Sequence, residues 1–220
     1  MAKSAVVTTN TNGNVFLDRV YAVQSPDDCQ KIYDDWSETF ESDVTSPEQD
    51  YVAPRLLANA LLAAGANMNG EILDAGCGTG LGAVALANVG AKTIDGVDFS
   101  SGMLKVAQRT GLYRSLAQVD LTREIPDQQD ESYDVVTCLG TLTHGHVGPV
   151  PALGEFVRIT KRNGIIAATV LDDIWQSGGY EAEVKRLQSE GFVEVLSTEN
   201  ADYRKAAGVK ARILVLKKRL

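Results

Sequence analysis

Residues able to do chemistry gather in two short stretches. Both histidines of the chain, His144 and His146, lie in "CLGTLTHGHVGPVP", residues 138–151. An imidazole takes up or releases a proton near neutral pH and also ligates metal ions. Three readings are open for the pair: a metal site, a proton-accepting base, or polar loop side chains that cap the next helix. Two imidazoles need at least one further ligand, and neither a third histidine nor any carboxylate spacing supplies it, so no metal is expected. The second stretch is "EILDAGCGTGLG", residues 71–82, which carries Gly76, Gly78 and Gly80 behind Asp74. These glycines let the backbone turn sharply and approach a ligand with no Cβ in the way. A dinucleotide fingerprint would place its third glycine where Leu81 stands, and a phosphate loop would need Gly-Lys-Ser/Thr, which is absent. What remains is a glycine turn led by an acid.

The elements that must position these groups are legible from residue 70 onward. Short apolar runs, "EILDAG", "TIDGVDF", "LAQVDL", "YDVVTCL", "GIIAATV", "FVEVLS" and "RILVLKK", alternate with helical stretches such as "LGAVALANVG" and "SGMLKVAQRTG". That order predicts an α/β fold, doubly wound, with a mostly parallel seven-stranded sheet covered on both faces. The last two runs flank a polar loop, "TENADYRKAAGVKA", too short for a crossover helix, so the last strand is expected to be antiparallel. Upstream, Ser25 and Pro26 open one helix whose Ile32, Trp36 and Phe40 form an apolar stripe, and a second helix runs from near Pro54 to Gly65. The organisation expected is a flexible tail over 1–17 and a single domain over 18–220, divided into a helical N-terminal lid (18–66) and an α/β core (67–220). Ligands of such sheets bind beyond the carboxyl ends of the strands. With strand four ending near Leu139, Gly140 and Thr141 fall at the ligand, and the histidines lie beyond them on the substrate side.

Composition limits the partners. The 220 residues hold 21 Lys and Arg against 29 Asp and Glu, a net charge of −8, which argues against a nucleic-acid partner. Three widely spaced cysteines form neither a disulfide framework nor a zinc ribbon. No apolar stretch of about 18 residues predicts a membrane span. A cytoplasmic protein acting on a small molecule is expected.

"LDAGCGTG" resembles motif I of the class I S-adenosylmethionine-dependent methyltransferases, and the likeness continues in register over roughly residues 30 to 220. The resemblance implies a Rossmann-like methyltransferase fold with S-adenosyl-L-methionine as cofactor. It makes Asp98, in "GVDFSSGML", the acceptor for both ribose hydroxyls, with Phe99 and Met103 flanking the adenine. Asp120 and Leu121, in "VDLTREIP", would read the adenine edge. The family's Lys-Pro-Gly-Gly turn is here Lys161-Arg162-Asn163-Gly164, and the Asn-Pro-Pro-Tyr motif of amide and base amino methylation is missing. The stretches "YDDWSETFESDV", "YVAPRLL" and "THGHV" are similar to the Williams–Beuren-region methyltransferase-like group. That similarity implies that Tyr33, Trp36 and Tyr51 close over the methionine end of the cofactor, with Arg55 for its carboxylate.

The activity implied is methyl transfer to an oxygen or nitrogen of a small molecule. His144 is the favoured base and His146 the second, while Trp36, Trp175 and Tyr203 are candidate substrate contacts. Two other readings share the cofactor pocket: a relative that catalyses a cyclisation or rearrangement without methyl transfer, and a non-catalytic binding or regulatory protein.

Overall fold

The structure, a computed structural model, describes residues 9–23, 25–126 and 128–220. Strand β1 (Glu71–Ala75) lies between β2 (Thr93–Asp98) and β4 (Tyr133–Leu142), parallel to both. With β3 (Tyr113–Gln118), β5 (Thr160–Leu171), β6 (Val193–Arg204) and β7 (Val209–Lys218) they form one seven-stranded sheet in the order β3-β2-β1-β4-β5-β7-β6. β7 runs antiparallel to both its neighbours, as expected. The strand order reverses between β1 and β4, so the loops after these two strands part and leave a crevice at their carboxyl ends.

Alternation along the strands builds a core on each face. Leu73, Val136, Ile166 and Leu214 pack against Phe156 and Leu187, which belong to α7 (Ala152–Ile159) and α8 (Tyr180–Ser189). Their neighbours Ile72, Val135, Ala167 and Ile213 face the other way, onto Leu57 and Leu61 of α4 (Ala53–Ala63) and Leu86 of α5 (Leu81–Asn88). Thus α4, which the sequence groups with the lid, forms part of the layer that covers the sheet.

The roof over the crevice is made by α1 (Val15–Ala22), α2 (Pro26–Trp36) and α3 (Phe40–Val44). The expected tail boundary at residue 17 falls inside α1. Asn14 caps that helix by accepting from Leu17 N at 2.9 Å, and Leu17 and Val20 are buried; residues 1–8 of the tail lie outside the described residues. One carboxylate pins the roof to the core. Asp34 Oδ1 accepts from Ser100 Oγ at 2.6 Å and from Gly102 N at 2.7 Å, at the start of α6 (Ser101–Arg109). A negative charge is favourable there because the first N–H groups of a helix have no intrahelical partner. Close approach is needed too, since a Cβ on Gly102 would lie 2.9 Å from Asp34 Cα.

Two expectations change. The polar stretch 198–211 is mostly strand: β6 continues to Arg204 and pairs with Val209 across a tight turn. Backbone pairing tolerates polar side chains where a neighbouring segment covers them, and here Tyr51 bridges to Arg204 from the roof side. Trp175 is no substrate-loop residue. A 3₁₀ turn (Asp172–Ile174) after β5 tucks its indole into the core, 6% exposed, beside Tyr180 and Val184.

Losing the Asp34 anchor removes a cap-like contact worth about 1–2 kcal/mol. We expect Asp34→Ala to speed amide hydrogen exchange about tenfold over residues 15–44 and to leave β1, β4 and β5 unchanged. Equal acceleration in roof and sheet would show that the roof is not held locally.

Candidate active site

The glycine turn leaves β1 with three left-handed glycines, φ +73° at Gly76, +54° at Gly78 and +104° at Gly80. At Gly76 the side-chain-free backbone is obligatory, because a Cβ would come within 2.0 Å of Thr141 Oγ1. Gly76 and Gly78 line a large cavity at the carboxyl edge of the sheet. Gly80 instead provides the turn into α5 and does not line it. Asp98, at the end of β2, accepts from Gly78 N at 2.8 Å through Oδ2 and from Ser100 N at 2.9 Å through Oδ1. Burial pushes its carboxyl above the ordinary range against these backbone donors. A carboxylate has about four lone-pair positions, so Asp98 keeps acceptor capacity toward the cavity.

Asp74 lines the cavity as well, but its oxygens are already engaged. Its two oxygens accept from Tyr113 at 2.9 Å and Thr137 at 3.0 Å, and it lies so close to α5 that a Cβ on Gly82 would be 2.9 Å away. Burial pushes its carboxyl up to about 6, partly offset by those two hydroxyl donors. Asp74 therefore ties β1, β3, β4 and α5 together behind the turn. Phe99, Met103, Asp120 and Leu121 also line the cavity. Asp120 Oδ1 already accepts from the backbone and hydroxyl of Thr122, at 2.9 and 2.6 Å.

The aromatic residues of the roof close the other side. Tyr33, Trp36, Tyr51 and Tyr203 all line the cavity. Trp36 is fully buried, stacked on Phe16 at 5.2 Å, with its N–H given to Asp43 Oδ2 at 2.6 Å, so it offers a wall and no free donor. The phenols of Tyr51 and Tyr203 converge on Gly140, where a Cβ would lie 3.0 and 3.1 Å from their oxygens. Burial holds both phenols well above their ordinary range, so they stay protonated.

The two histidines exchange their expected order. His144 does not line the cavity; its Nε2 lies 2.9 Å from Asp173 Oδ2 and 2.8 Å from Thr9 Oγ1. His146 does line it. Its Nδ1 is 2.5 Å from the His144 carbonyl oxygen, which can only accept, so the proton sits on Nδ1. Nε2 is then the acceptor for the Tyr33 hydroxyl at 3.0 Å. Burial, reinforced by the nearby His144, pushes the imidazole down to about 4, against the hydrogen bond to the His144 carbonyl. His146 is neutral at pH 7.

Among the lining residues that escaped the sequence reading, Thr79, Cys29 and Arg204 carry groups of chemical interest. Thr79 has a buried hydroxyl with no partner among the described residues. Cys29 has a thiol that burial raises to about 11. Arg204 is a buried cation at the end of β6. Arg55, by contrast, is exposed and does not line the cavity. Among the described residues no group of three or more His, Cys, Asp or Glu could hold a metal ion.

A glycine turn after β1, an acid ending β2 and an antiparallel β7 agree with the methyltransferase motifs that the sequence resembles. Residues 73–168 match a family described as a methyltransferase domain. Methyltransferase-like protein 27 of Homo sapiens is 35% identical over 178 residues, 78% of this chain and 71% of that protein. The ubiquinone biosynthesis O-methyltransferase of Thiobacillus denitrificans is 37% identical over 108 residues, 46% of this chain and 44% of that protein. Magnesium protoporphyrin IX methyltransferase of Synechocystis PCC 6803, solved with bound SAM, superposes with a TM-score of 0.55 at 20% identity, covering 92% of this chain and 89% of that one. The chain belongs to the class I S-adenosylmethionine-dependent methyltransferases, and S-adenosylmethionine is its cofactor. The residues present fit that group: a turn open to close backbone approach, carboxylates suited to accept from hydroxyl and amine donors, and an orphaned Thr79 hydroxyl.

The neutral His146 carries a pH signature. Its folded pKa of about 4 lies below the ordinary 6.5, so only the unfolded chain takes up a proton between those values. Stability present above pH 6.5 is lost as pH falls toward 4, on the order of 3 kcal/mol. Asp74 acts in the opposite sense: its pKa of about 6 stands above 3.8, so its contribution is fully present below 3.8 and lost as pH rises through 6. We expect His146→Gln to remove the histidine part, so that wild type loses stability relative to the variant on going from pH 7 to pH 4.5 in urea titrations. A constant difference across that range would contradict a buried neutral imidazole.

Proposed function

We propose that the protein methylates an oxygen or nitrogen of a small molecule bound between the roof and the carboxyl edge of the sheet. The carrying observation is that one cavity, roofed by α1–α3, runs from the glycine turn to His146. A space covered in this way suits a small acceptor, and the net charge of −8 weighs against a nucleic-acid one. The likeness to ubiquinone biosynthesis O-methyltransferases supports oxygen as a target.

When bound, S-adenosylmethionine supplies an electrophilic methyl carbon on a sulfonium centre. In this reading Asp98 accepts from the ribose hydroxyls through the lone pairs that Gly78 and Ser100 leave free. Asp120 would accept from the exocyclic amine of the adenine, and Leu121, Phe99 and Met103 would pack against the ring. Gly76, Gly78 and Gly140 let the backbone lie close to the methionine portion, and Tyr33 and Tyr51 pack over it. Much of the rate comes from alignment, because an in-line displacement depends on holding the acceptor about 3 Å from the methyl carbon.

His146 takes the proton. An acceptor hydroxyl that replaces Tyr33 at Nε2 gives its proton to that nitrogen as the new carbon–oxygen bond forms. A base with a pKa near 4 suffices for this, since the hydroxyl proton becomes strongly acidic once its oxygen is being alkylated. His144 holds the loop through Asp173 and Thr9.

The test is incubation of metabolite extracts with methyl-labelled S-adenosylmethionine, followed by mass spectrometry. Labelled small molecules with stoichiometric S-adenosylhomocysteine are expected. Label confined to protein or nucleic acid, or conversion of a compound with the cofactor unconsumed, would overturn the reading. Among variants, we expect Asp98→Ala to weaken S-adenosylhomocysteine binding at least tenfold. His146→Gln should lower kcat about a hundredfold with that binding intact, and His144→Gln should have the smaller effect.

A further inference from the structure

Arg204 is the strongest unexplained group in the molecule. It is 2% exposed, yet among the described residues no Asp or Glu pairs with it. Its Nη1 donates to Gln49 Oε1 at 2.7 Å and its Nη2 to Tyr21 Oη at 3.3 Å. Its Nε has no partner among the described residues. A guanidinium has five N–H donors, so two are used here and three are not.

Neither contact neutralises the charge. Gln49 is an amide, and burial raises the Tyr21 phenol above its ordinary range in spite of the adjacent cation, so the phenol remains neutral. A buried arginine without a counterion costs several kcal/mol and is almost never kept unpaired. The backbone nevertheless holds it firmly: Tyr51 bridges to Arg204, Val52 N donates to the Tyr203 carbonyl at 3.1 Å, and Lys205 N donates to the Asp50 carbonyl at 3.0 Å. The side chain borders the cavity, whose walls nearby are the rings of Tyr21, Tyr51 and Tyr203.

We propose that Arg204 is the receptor for a carboxylate of the methyl acceptor, which makes the acceptor an aromatic or otherwise planar organic acid. The inference rests on the methyl-transfer reading of the same cavity. A carboxylate matches the planar fork of a guanidinium bidentately, and the phenol rings that wall the cavity, Tyr51 and Tyr203 set edge-on at 76°, offer apolar surface to a flat ring. The acceptor, and not the cofactor, is the source of this anion. Arg204 is held by Gln49 and Tyr21, whereas the glycine turn and Asp98 are held by β1, β2 and α6. The cavity thus has carboxylates at the cofactor end and a cation at the other.

The test uses the full chain saturated with S-adenosylhomocysteine and calorimetry with matched pairs: 4-hydroxybenzoate and 4-hydroxybenzamide, 4-hydroxyphenylacetate and its amide, indole-3-acetate and its amide. In at least one pair the wild type should bind the acid about tenfold more tightly than the amide. Arg204→Met should abolish that preference and leave S-adenosylhomocysteine affinity within about threefold, while Arg204→Lys should keep part of it. Circular dichroism and retained S-adenosylhomocysteine binding establish that the variants fold, and the wild-type comparison needs no variant. Equal binding of acid and amide in every pair would overturn the proposal. So would a tenfold or greater loss of S-adenosylhomocysteine affinity in Arg204→Met, because the anion would then be the cofactor's own carboxylate. Acid preference without any methyl transfer would instead count against the methyl-transfer reading and leave the receptor standing.

Discussion

The site depends on a chain of hydrogen bonds that meets at Ser100. Asp98 accepts from Gly78 N and Ser100 N, which locks the turn after β1 to the turn after β2. Ser100 Oγ in turn accepts from Met103 N, capping α6, and donates to Asp34 of the roof. Glycine turn, helix start and roof therefore share one short polar core at the cavity. Buried polar groups are stable only when they satisfy one another, so each of these residues restricts the others.

What was legible in the sequence follows from local rules. Strand–helix alternation, the positive-φ glycines and the acid closing β2 are set by neighbours along the chain, and they stand as read. Ser25 caps α2 as its type and place predict. The misplacements all involve contacts across the fold. Nothing local tells His144 from His146; the choice is made by a carbonyl oxygen on one side and Tyr33, 113 residues away, on the other. Arg204 inverts the simple polarity rule, since the guanidinium leaves solvent for the cavity, whereas Trp175 obeys it by leaving the rim for the core. Arg204 was hidden by its surroundings, a run of polar residues that reads as a loop until Tyr51 and Asp50 are laid beside it.

Electrostatics divides the cavity as clearly as the backbone does. Asp98 and Asp120 stand at one end and Arg204 at the other, separated by neutral phenols and by an imidazole that burial keeps uncharged at pH 7. In a region of low dielectric such a gradient orients a polar ligand more strongly than it would in water. The apolar walls give the contact area, and the charges give the direction.

The hairpin of β6 and β7 lies at the edge of the sheet, and its tip meets the loop that leads into α4 and, from the roof side, Asn10 and Tyr21. Tyr203 and Arg204 can therefore be exchanged, or the tip lengthened, with no change to β1, β2 or the glycine turn. Within such a framework, selectivity for the acceptor and retention of the cofactor are inherited on separate pieces of chain. A descendant that acquires a new acceptor need alter only an edge hairpin and the helices that face it.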